Sequence, residues 1–407
     1  MNEKKRYTVM QINTVYPYGS TGKIAKGIQD TCRNAGIDCT VAYRYYENNQ
    51  QRLADSIVLS TWMDCHIHNR INRYTLLQGY FSYFRTKKFL QTLEKPAIVH
   101  LHNLHGSYIN LRLLFLYIKK NRIPVVWTLH DCWPFTGYCP YFDAHMCTKW
   151  QTGCNSCEYY KPSIPFHVDI VAKMWRDKKK WFTGVENMTL VTPSQWLADK
   201  VHESFLEEYP VRVVNNGINL NVFTPTQSTL KSKYGIPKGM AIVLGVAFDW
   251  GYRKGLDVFS RLAKTLGGKY QIVLVGTDQN VDCQLPKNII SIHRTSNQQE
   301  LAEIYSSADV FVNPTREDNF PTVNIEALAC GTPVITFNTG GSPEIIDDTC
   351  GMVVPCNDVD ALEKAIRCVC EDKPYSQEAC VKRAQKFDQR EKFKEYVKLY
   401  EDCAHRT

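Results

Sequence analysis

Carboxylates, glycines and a helix start are concentrated in one segment of the sequence, from Pro314 to Asp347. The segment reads PTREDNFPTVNIEALACGTPVITFNTGGSPEIID, which predicts a strand end, a loop, a helix, a second strand and a glycine-rich loop. Backbone N–H groups after Asn319 and Phe320 would lie at the helix N-terminus, where they can bind an anion or a hydroxyl group. The alternative is an acidic surface loop that caps the helix.

Histidines cluster at two predicted strand ends. His100, His102 and His105 lie in the stretch HLHNLHG, and His130 precedes Asp131 in TLHDCWPFTGYC. Three imidazoles this close together can bind a metal ion. His100 and His102 share one face of a strand, however, and burial with hydrogen-bonded partners is the favoured interpretation.

Four cysteines fall within 19 residues of the stretch CPYFDAHMCTKWQTGCNSC, and they are Cys139, Cys147, Cys154 and Cys157. The last two have the spacing of a metal-binding knuckle, with Cys132 close enough to replace one ligand. Four thiolates would form a closed, structural zinc site that stabilises an otherwise loose insertion. Free or disulfide-bonded thiols are the alternative.

The stretch YPYGSTGKIAKGIQD follows the strand-like run YTVMQIN and has some features of a phosphate-binding P-loop. A P-loop needs a glycine five residues before the Gly-Lys pair and a Ser or Thr after it. Those positions hold Pro17 and Ile24, so the hydroxyl that would bind magnesium is missing. Gly19 and Gly22 therefore indicate either a plain strand-to-helix turn or a loop whose backbone approaches a ligand closely.

Strand-like and helical runs alternate along most of the chain and begin afresh near Pro225. Such alternation predicts an α/β protein with two doubly wound domains, each a parallel sheet covered by helices. We expect an N-terminal domain over residues 1–224, with a cysteine-rich insertion at about 132–160, and a C-terminal domain over 225–407 that includes the terminal helices. Ligands in such folds lie beyond the carboxyl ends of the strands.

The net charge of +8 over 407 residues is unevenly distributed. Residues 1–200 hold 26 Lys and Arg against 14 Asp and Glu, and the remainder holds 23 against 27. The basic half predicts an anionic partner, such as a membrane surface or a phosphorylated acceptor, and no motif indicates nucleic acid. The basic, aromatic stretch VAKMWRDKKKWFTG fits a membrane surface or ordinary packing about equally well. Without a signal peptide pattern or an apolar run of about 18 residues, we expect a cytoplasmic location.

The segment from Pro314 resembles family-4 glycosyltransferases of the GT-B fold, whose C-terminal domain typically carries two glutamates in the pattern E-x7-E. Glu326 matches the second glutamate, and Asp318 stands at the first position with Glu317 beside it as a rival. The resemblance implies that Glu326 binds the ribose of a sugar nucleotide and that Asp318 lies near the transferred sugar. The other donor-binding positions that it implies here are Asn319, Phe320, Thr322 and Val323.

Three further parts of the chain extend the resemblance. GYRKGLDVFSRLA matches the family's cationic turn through Lys254-Gly255, with Arg253 as the nearest substitute for an arginine that usually lies earlier. Two cations there would stabilise the negative charge that develops on a diphosphate leaving group. Gly19 and Gly22 match the family's glycine-rich loop facing the donor, and His130 matches its strand-end histidine facing the sugar or acceptor.

The resemblance implies a retaining glycosyltransferase of the hexosyltransferase type, with two Rossmann-like domains facing a central cleft. It would transfer a sugar from a nucleotide-diphosphate donor to a glycan or lipid-linked acceptor, in cell-surface polysaccharide biosynthesis at the inner face of the membrane. The stretch Asp358-Val-Asp360 matches the metal-binding D-x-D pattern of the other glycosyltransferase fold, but it precedes a helical run, and Asp360 and Glu363 have the spacing of a capping box. We therefore expect no catalytic metal. A sugar-nucleotide epimerase of the same architecture and a non-catalytic sugar-nucleotide-binding module are the alternatives.

Overall fold

A computed structural model of the protein describes residues 7–45, 53–163 and 167–404, which form two compact units. Unit 1 contains the described residues up to Phe142, Met146–Val214 and the chain from Lys392 onward. Unit 2 contains Asp143–His145 and Asn215–Glu391. These units differ from the domains expected from the sequence, since unit 1 ends before residue 224 and regains the end of the chain.

Unit 1 is built on a sheet of seven parallel strands in the order β3-β2-β1-β4-β5-β6-β7. The strands are β1 (Thr8–Asn13), β2 (Asp38–Tyr43), β3 (Ser56–Val58), β4 (Ile98–Leu101), β5 (Val125–Thr128), β6 (Met188–Thr192) and β7 (Val211–Val213). The α-helices between them are α1 (Gly19–Asn34), α2 (Trp62–Thr75), α3 (Tyr83–Thr92), α4 (Leu111–Asn121), α5 (Ile170–Phe182) and α6 (Gln195–His202). Short 3-10 turns lie at Trp133–Phe135, Asp143–His145 and Lys149–Gln151.

Unit 2 is built on six parallel strands in the order β10-β9-β8-β11-β12-β13. The strands are β8 (Ala241–Val246), β9 (Tyr270–Val275), β10 (Ile289–Ile292), β11 (Val310–Asn313), β12 (Val334–Phe337) and β13 (Gly351–Val354). The α-helices are α7 (Leu230–Lys233), α8 (Leu256–Thr265), α9 (Gln279–Asp282), α10 (Gln298–Ser306), α11 (Thr322–Ala329), α12 (Ser342–Ile345), α13 (Val359–Asp372) and α14 (Gln377–Ala384). Turns of 3-10 type lie at Tyr252–Lys254 and Gln385–Phe387.

The central strands of both sheets are buried on both faces, because helices cover each side. All four residues of β4, β5, β11 and β12 are buried, which explains their near-continuous apolar sequences. The prediction of two doubly wound domains with parallel sheets is therefore confirmed. In such sheets the strand order reverses beside the first strand, and ligands bind at the carboxyl ends of the strands that flank the reversal. These flanking strands are β1 and β4 in unit 1, and β8 and β11 in unit 2.

The last helix, α15 (Gln389–Ala404), begins in unit 2 and continues in unit 1. Its aromatic side chains pack on the first elements of unit 1, and a Cβ placed on Gly27 of α1 would lie 2.1 Å from the Phe393 ring. The hydroxyl of Tyr400 lies 2.5 Å from Nδ1 of His100 on β4. These contacts explain why the end of the chain belongs to unit 1 and not to the C-terminal domain.

No helix within the described part of the chain combines the length and the apolar character needed to cross a bilayer.

Candidate functional site

The predicted cationic turn of unit 2 lies at the strand reversal, between the ends of β8 and β11. Lys254 Nζ lies 2.5 Å from Asp318 Oδ2, and the two side chains are 16% and 18% exposed. Gly255 has a φ of 75°, and a Cβ there would lie 2.5 Å from the main-chain oxygen of Pro314. Only glycine therefore allows the two loops to approach this closely, and the approach brings Lys254 to Asp318.

Arg316 holds this turn in place, and sequence reasoning missed it. Its guanidinium donates two hydrogen bonds to the Asp257 carboxylate, at 2.8 and 2.7 Å, and one to Asn357 Oδ1 at 2.7 Å. It also donates to the main-chain oxygen of Tyr252 and lies 3.8 Å from the centre of that ring. A nearly buried arginine with these partners fixes the backbone that carries Arg253 and Lys254. The feature of the sequence that could have indicated Arg316 is a cation two positions before Asp318.

Asp318 and Glu317 have different surroundings. Asp318 bonds to Lys254, whereas the Glu317 carboxylate accepts a hydrogen bond at 3.0 Å from the N–H of Ala144, which belongs to the same unit. Arg253 Nη1 donates to the main-chain oxygen of Glu317 at 3.1 Å. Of the two acidic residues, Asp318 is thus the one whose carboxylate joins the cationic turn.

The glycine-rich loop after β12 packs directly on the backbone of Asp318. A Cβ on Gly340 would lie 1.7 Å from the Asp318 oxygen, and Gly340 has a φ of 53°. The N–H of Gly341 donates to Asn319 O at 3.0 Å, and Thr339 Oγ1 donates to Thr315 O at 2.8 Å. The loop therefore fixes the main chain leading into α11.

Helix α11 starts where the sequence places the anion or hydroxyl site. Pro321 precedes the helix and has no polar side chain to cap it, so the first N–H groups of α11 lack the usual side-chain acceptor. Thr322 and Val323 are half-buried, whereas Asn319 and Phe320 are 3% exposed, and the Phe320 ring packs 5.7 Å from that of Phe387. Asn319 and Phe320 can therefore meet a ligand through the main chain and not through their side chains.

Glu326 lies one helical turn beyond Thr322 on the same face of α11. It is half-buried, and its Oε2 accepts a hydrogen bond at 3.1 Å from the hydroxyl of Tyr305. Burial and the neighbouring Glu326 charge raise the pKa of Tyr305 well above its ordinary value, so Tyr305 remains a donor. The bond orients the Glu326 carboxylate and leaves further lone pairs to accept from hydroxyl groups.

In unit 1, a chain of hydrogen bonds runs from Gln11 of β1 through His102, which follows β4, to His130, which follows β5. Gln11 Nε2 donates to Ala25 O at 3.0 Å, which turns Gln11 Oε1 toward His102 Nε2 at 2.9 Å. Oε1 only accepts, so Nε2 of His102 carries the hydrogen. His102 Nδ1 then accepts from His130 Nε2 at 3.1 Å.

The surroundings of His130 keep it neutral. Burial lowers its pKa to about 4, while the Asp131 charge acts in the opposite direction. Burial likewise lowers the pKa of His102 well below its ordinary value. Neutral His130 therefore carries its hydrogen on Nε2, and Nδ1 is the acceptor nitrogen of the ring.

The remaining histidines have protein partners. His100 lies between the hydroxyls of Tyr400 and Thr128, 2.5 and 2.8 Å from its two ring nitrogens. His105 Nε2 lies 3.2 Å from Asp131 Oδ2. Among the residues that the structure describes, no three His, Cys, Asp or Glu side chains are arranged to hold a metal ion. His100 and His102 thus match the interpretation of buried, hydrogen-bonded side chains.

Gly19 and Gly22 lie at the start of α1, directly after β1. Gly19 has a φ of 67°, and a Cβ on Gly22 would lie 3.1 Å from the main-chain oxygen of Val15. The Asn13 side chain donates to Val15 O at 2.9 Å. The glycines therefore allow a tight turn from β1 into α1 at the strand reversal, two strands from β5, which His130 follows.

Within the described part of the chain, the thiols of Cys139, Cys147, Cys154 and Cys157 are not gathered into a group that could hold a metal ion, and the zinc site stays a prediction. Cys139, Cys147 and Cys157 are half-buried, and buried Cys154 accepts a hydrogen bond from the N–H of Gly137 at 3.2 Å. Burial raises the pKa of Cys139 to about 12 and that of Cys154 to about 11, so both are held as thiols. The spacing of cysteines does not reveal the directions of the thiols, which here depend on left-handed backbone at Met146, Cys154 and Ser156.

Lys178 is buried, although the sequence suggested it as part of a basic surface run. Its Nζ donates to the main-chain oxygens of Trp133 and Thr136, at 2.8 and 3.1 Å, and lies 3.6 Å from the Trp133 ring centre. Burial lowers the pKa of Lys178 to about 7. Trp175 and Trp181 of the same helix are each 7% exposed. Packing is therefore the correct interpretation of these α5 side chains, and Lys178 secures the loop after His130.

The chain is similar to curated proteins that are named as glycosyltransferases. The chain is 22% identical over 364 residues to the putative colanic acid biosynthesis glycosyl transferase WcaC of Escherichia coli, covering 85% of this chain and 87% of that protein. It is 27% identical over 209 residues to an N,N'-diacetylbacillosaminyl-diphospho-undecaprenol alpha-1,3-N-acetylgalactosaminyltransferase of Campylobacter jejuni, covering 48% of this chain and 55% of that protein.

Solved structures share the architecture. Sucrose-phosphate synthase from Thermosynechococcus elongatus has a TM-score of 0.71 at 18% identity, covering 99% of this chain and 100% of that chain. Anabaena Alr3699/HepE in complex with UDP and glucose has a TM-score of 0.67 at 14% identity, covering 98% of this chain and 100% of that chain. At these identities the likeness concerns the fold.

The two doubly wound units, with a cation–carboxylate pair at the strand reversal of unit 2, define a glycosyltransferase of the GT-B fold. Residues 29–222 match the family described as Glycosyltransferase Family 4, and residues 227–387 match the family described as Glycosyl transferases group 1. The chain belongs to the family-4-like GT-B glycosyltransferases. The resemblance drawn from the Pro314–Asp347 segment is thus confirmed.

Proposed function

We propose that the protein is a retaining glycosyltransferase that moves a sugar from a nucleotide-diphosphate donor to a glycan or lipid-linked acceptor. The observation that carries this proposal is the Lys254–Asp318 pair beside the uncapped start of α11, with Glu326 one turn further on the same face. Cation, main-chain donors and carboxylate are the groups that a diphosphate, a sugar and a ribose require. The UDP bound to Anabaena Alr3699/HepE makes uridine nucleotides the first donors to test.

The proposal gives each residue of unit 2 a role. Lys254 and Arg253 neutralise the charge that develops on the departing diphosphate, so the proposal needs no catalytic metal. The first N–H groups of α11, at Thr322 and Val323, donate to the donor's phosphate or sugar oxygens. Glu326, oriented by Tyr305, accepts from the ribose hydroxyls, and Asp318 accepts from a hydroxyl of the transferred sugar.

His130 orients a hydroxyl and is not the base in this proposal. A histidine with a pKa of about 4 is a weak base at neutral pH, but its Nδ1 can accept a hydrogen bond from a sugar or acceptor hydroxyl. The acceptor proton instead passes to the departing phosphate oxygen as the C–O bond to that phosphate breaks and the new glycosidic bond forms on the same face. Gly19 and Gly22 shape the loop beside this position.

The relatives support a place in cell-surface polysaccharide biosynthesis. The name of the Escherichia coli relative refers to colanic acid, and that of the Campylobacter jejuni relative to an undecaprenol-linked sugar. A polyprenyl-linked acceptor stays in the bilayer, so we place the protein at the inner face of the membrane as a peripheral protein. Its basic half, with 26 basic and 14 acidic residues over positions 1–200, supports such a contact.

A screen of nucleotides and nucleotide sugars tests the proposal. UDP, GDP and their sugars are compared by thermal shift, and each donor that binds is then incubated with polyprenyl-diphosphate-linked sugars. We expect one nucleotide class to stabilise the protein and the sugar to appear on the lipid-linked acceptor with its anomeric configuration retained. Epimer or glycal formation without acceptor would instead identify an epimerase. Binding with no turnover on any acceptor would indicate a binding module.

A further inference from the structure

Helix α2 presents an apolar stripe to solvent. Its buried residues, Cys65 and Asn72, are about two helical turns apart and therefore mark the face that packs on unit 1. Another face carries apolar residues spaced four, four and three positions apart, and these are Met63, Ile67, Ile71 and Tyr74. Met63 is 64% exposed and Ile67 54%. A surface helix normally turns such a stripe toward the core, so α2 has the reverse arrangement.

The start of α3 adds two exposed aromatic side chains beside α2. Phe84 is 84% exposed and Tyr83 46%. His68 of α2 lies 3.1 Å from the Ser82 hydroxyl and stacks on the Phe81 ring, with ring centres 5.2 Å apart. Arg85 of α3 pairs with Asp64 of α2. The exposed apolar residues of the two helices thus form one region, here called the α2–α3 surface, with the members Trp62, Met63, Ile67, Ile71, Tyr74, Tyr83 and Phe84.

Basic residues accompany this surface. Residues 62–92 contain five Lys and Arg and one acidic residue, Asp64, for a net charge of 5 − 1 = +4. Asp64 pairs with Arg85, which leaves a basic set of four exposed side chains around the apolar stripe. They are Arg70, Arg73, Lys87 and Lys88.

We propose that the α2–α3 surface binds the surface of an anionic lipid bilayer. The apolar stripe enters the boundary between headgroups and acyl chains, and the flanking arginines and lysines contact the acidic headgroups. Charge complementarity favours an anionic bilayer as the partner, because an apolar stripe flanked almost entirely by cations fits a surface of uniform negative charge. The purpose of this bilayer contact, which is to hold unit 1 where a lipid-linked acceptor resides, rests on the proposed function.

Co-sedimentation with vesicles tests the proposal on the full-length protein. Vesicles of phosphatidylglycerol and phosphatidylcholine are compared with vesicles of phosphatidylcholine alone. We expect the wild type to sediment with the anionic vesicles, and the double variant Met63→Ser/Ile67→Ser to partition about tenfold less. The matched control is Leu116→Ser, which removes an apolar side chain of α4 that is 53% exposed. It should sediment like the wild type.

A second pair of variants separates charge from apolar contact. Arg70→Gln/Arg73→Gln should reduce sedimentation several-fold at low salt, and the reduction should shrink in high salt, where exposed charges are screened within about 10 Å at 0.1 M. Lys179→Gln/Lys180→Gln removes two exposed charges of α5 and should have a smaller effect. UDP-sugar binding is measured on every variant. A wild type that sediments with anionic vesicles but binds no nucleotide sugar would count against the proposed function alone.

Three results would overturn the bilayer assignment. The wild type could fail to sediment with anionic vesicles, or Met63→Ser/Ile67→Ser could sediment like the wild type. A concentration-dependent dimer that this variant abolishes would instead assign the surface to a second copy of the chain.

Discussion

The Lys254 ammonium lies 2.5 Å from the Asp318 carboxylate, and each side chain is less than one-fifth exposed. The pair joins the loop after β8 to the loop after β11, two stretches that are 64 residues apart in sequence. A cation held by one carboxylate is already in position when an anionic ligand arrives, so its orientation costs little at the moment of binding.

Replacing Lys254 with Ala should lower turnover of the nucleotide-sugar donor by about 10²-fold or more, the scale for losing one preorganised charge contact. Steady-state kinetics with the donor found by thermal shift measure the effect. Lys264→Ala is the control, because it removes an exposed lysine of α8 in the same unit. Unchanged kinetics in Lys254→Ala would show that this lysine does not contact the leaving group.

Asp318→Asn should impair sugar transfer more than it weakens binding of the free nucleotide, because Asp318 is assigned to the sugar. Glu317→Gln should have little effect on either, since its amide oxygen can still accept the hydrogen bond from Ala144. Turnover and calorimetric nucleotide affinity are measured for both variants. A larger loss of transfer in Glu317→Gln would move the first acidic position by one residue.

Glu326→Gln should weaken nucleotide binding, because an amide presents a donor where the ribose hydroxyls need an acceptor. Tyr305→Phe should produce a smaller loss in the same direction, since it removes only the 3.1 Å bond that orients the carboxylate. Titration calorimetry with UDP and with uridine separates the contribution of the ribose site from that of the diphosphate site, because uridine lacks the diphosphate. Equal affinity of wild type and Glu326→Gln would remove Glu326 from the ribose site.

His130 should remain neutral from pH 8 down to about pH 5, with its hydrogen on Nε2, because burial lowers its pKa to about 4. Nitrogen-15 NMR of the imidazole reports both the charge and the tautomer. Below about pH 6.5 the unfolded chain binds protons that folded His130 does not. The contribution of His130 to the free energy of unfolding should therefore be complete above that pH. It should fall as pH decreases, by about 1.4 kcal/mol per pH unit for one histidine.

Two variants check this assignment. His130→Gln should make the fall in stability between pH 6.5 and pH 5 less steep, measured by urea unfolding, while His100 and His102, whose pKa values burial also lowers, keep part of the fall. Gln11→Leu removes the acceptor that sets the His102 tautomer, and it should change the nitrogen-15 shifts of both histidines. A His130 that titrates near its ordinary pKa of about 6.5 would contradict the assignment.

Metal analysis tests whether the cysteine cluster binds zinc. Because the structure does not bring the thiols of Cys139, Cys147, Cys154 and Cys157 into a metal site, we expect clearly less than one zinc per chain. The protein is purified with its thiols reduced, and the zinc content is compared with that of Cys154→Ser/Cys157→Ser. About one zinc per chain, lost in the double variant, would restore the zinc site expected from the spacing.

Sequence reasoning predicted the features that depend on local pattern. The alternation of strands and helices predicted both parallel sheets. The segment from Pro314 to Asp347 pointed to Asp318 and Glu326, and the separate stretch GYRKGLDVFSRLA pointed to the cationic turn; their roles in donor binding stay predictions. Contacts made between distant segments were not predictable in this way. Arg316 bonds to Asp257, 59 residues earlier, and Lys178 bonds to Trp133, 45 residues earlier. A charge run read as exposed thus contains a buried lysine, because burial depends on which distant carbonyl groups the fold brings to it.

The return of α15 to unit 1 makes unit 2 an insertion in the topology of unit 1. The chain leaves unit 1 at Val214 and re-enters it at Lys392. Apart from the short segment Asp143–His145, exchanging unit 2 between relatives therefore requires two junctions, and a fragment that stops at Val214 would lack the helix that contacts His100 and Gly27. Chimeras that keep Lys392–Ala404 of the recipient chain preserve that cover, which makes unit 2 exchangeable as a cassette.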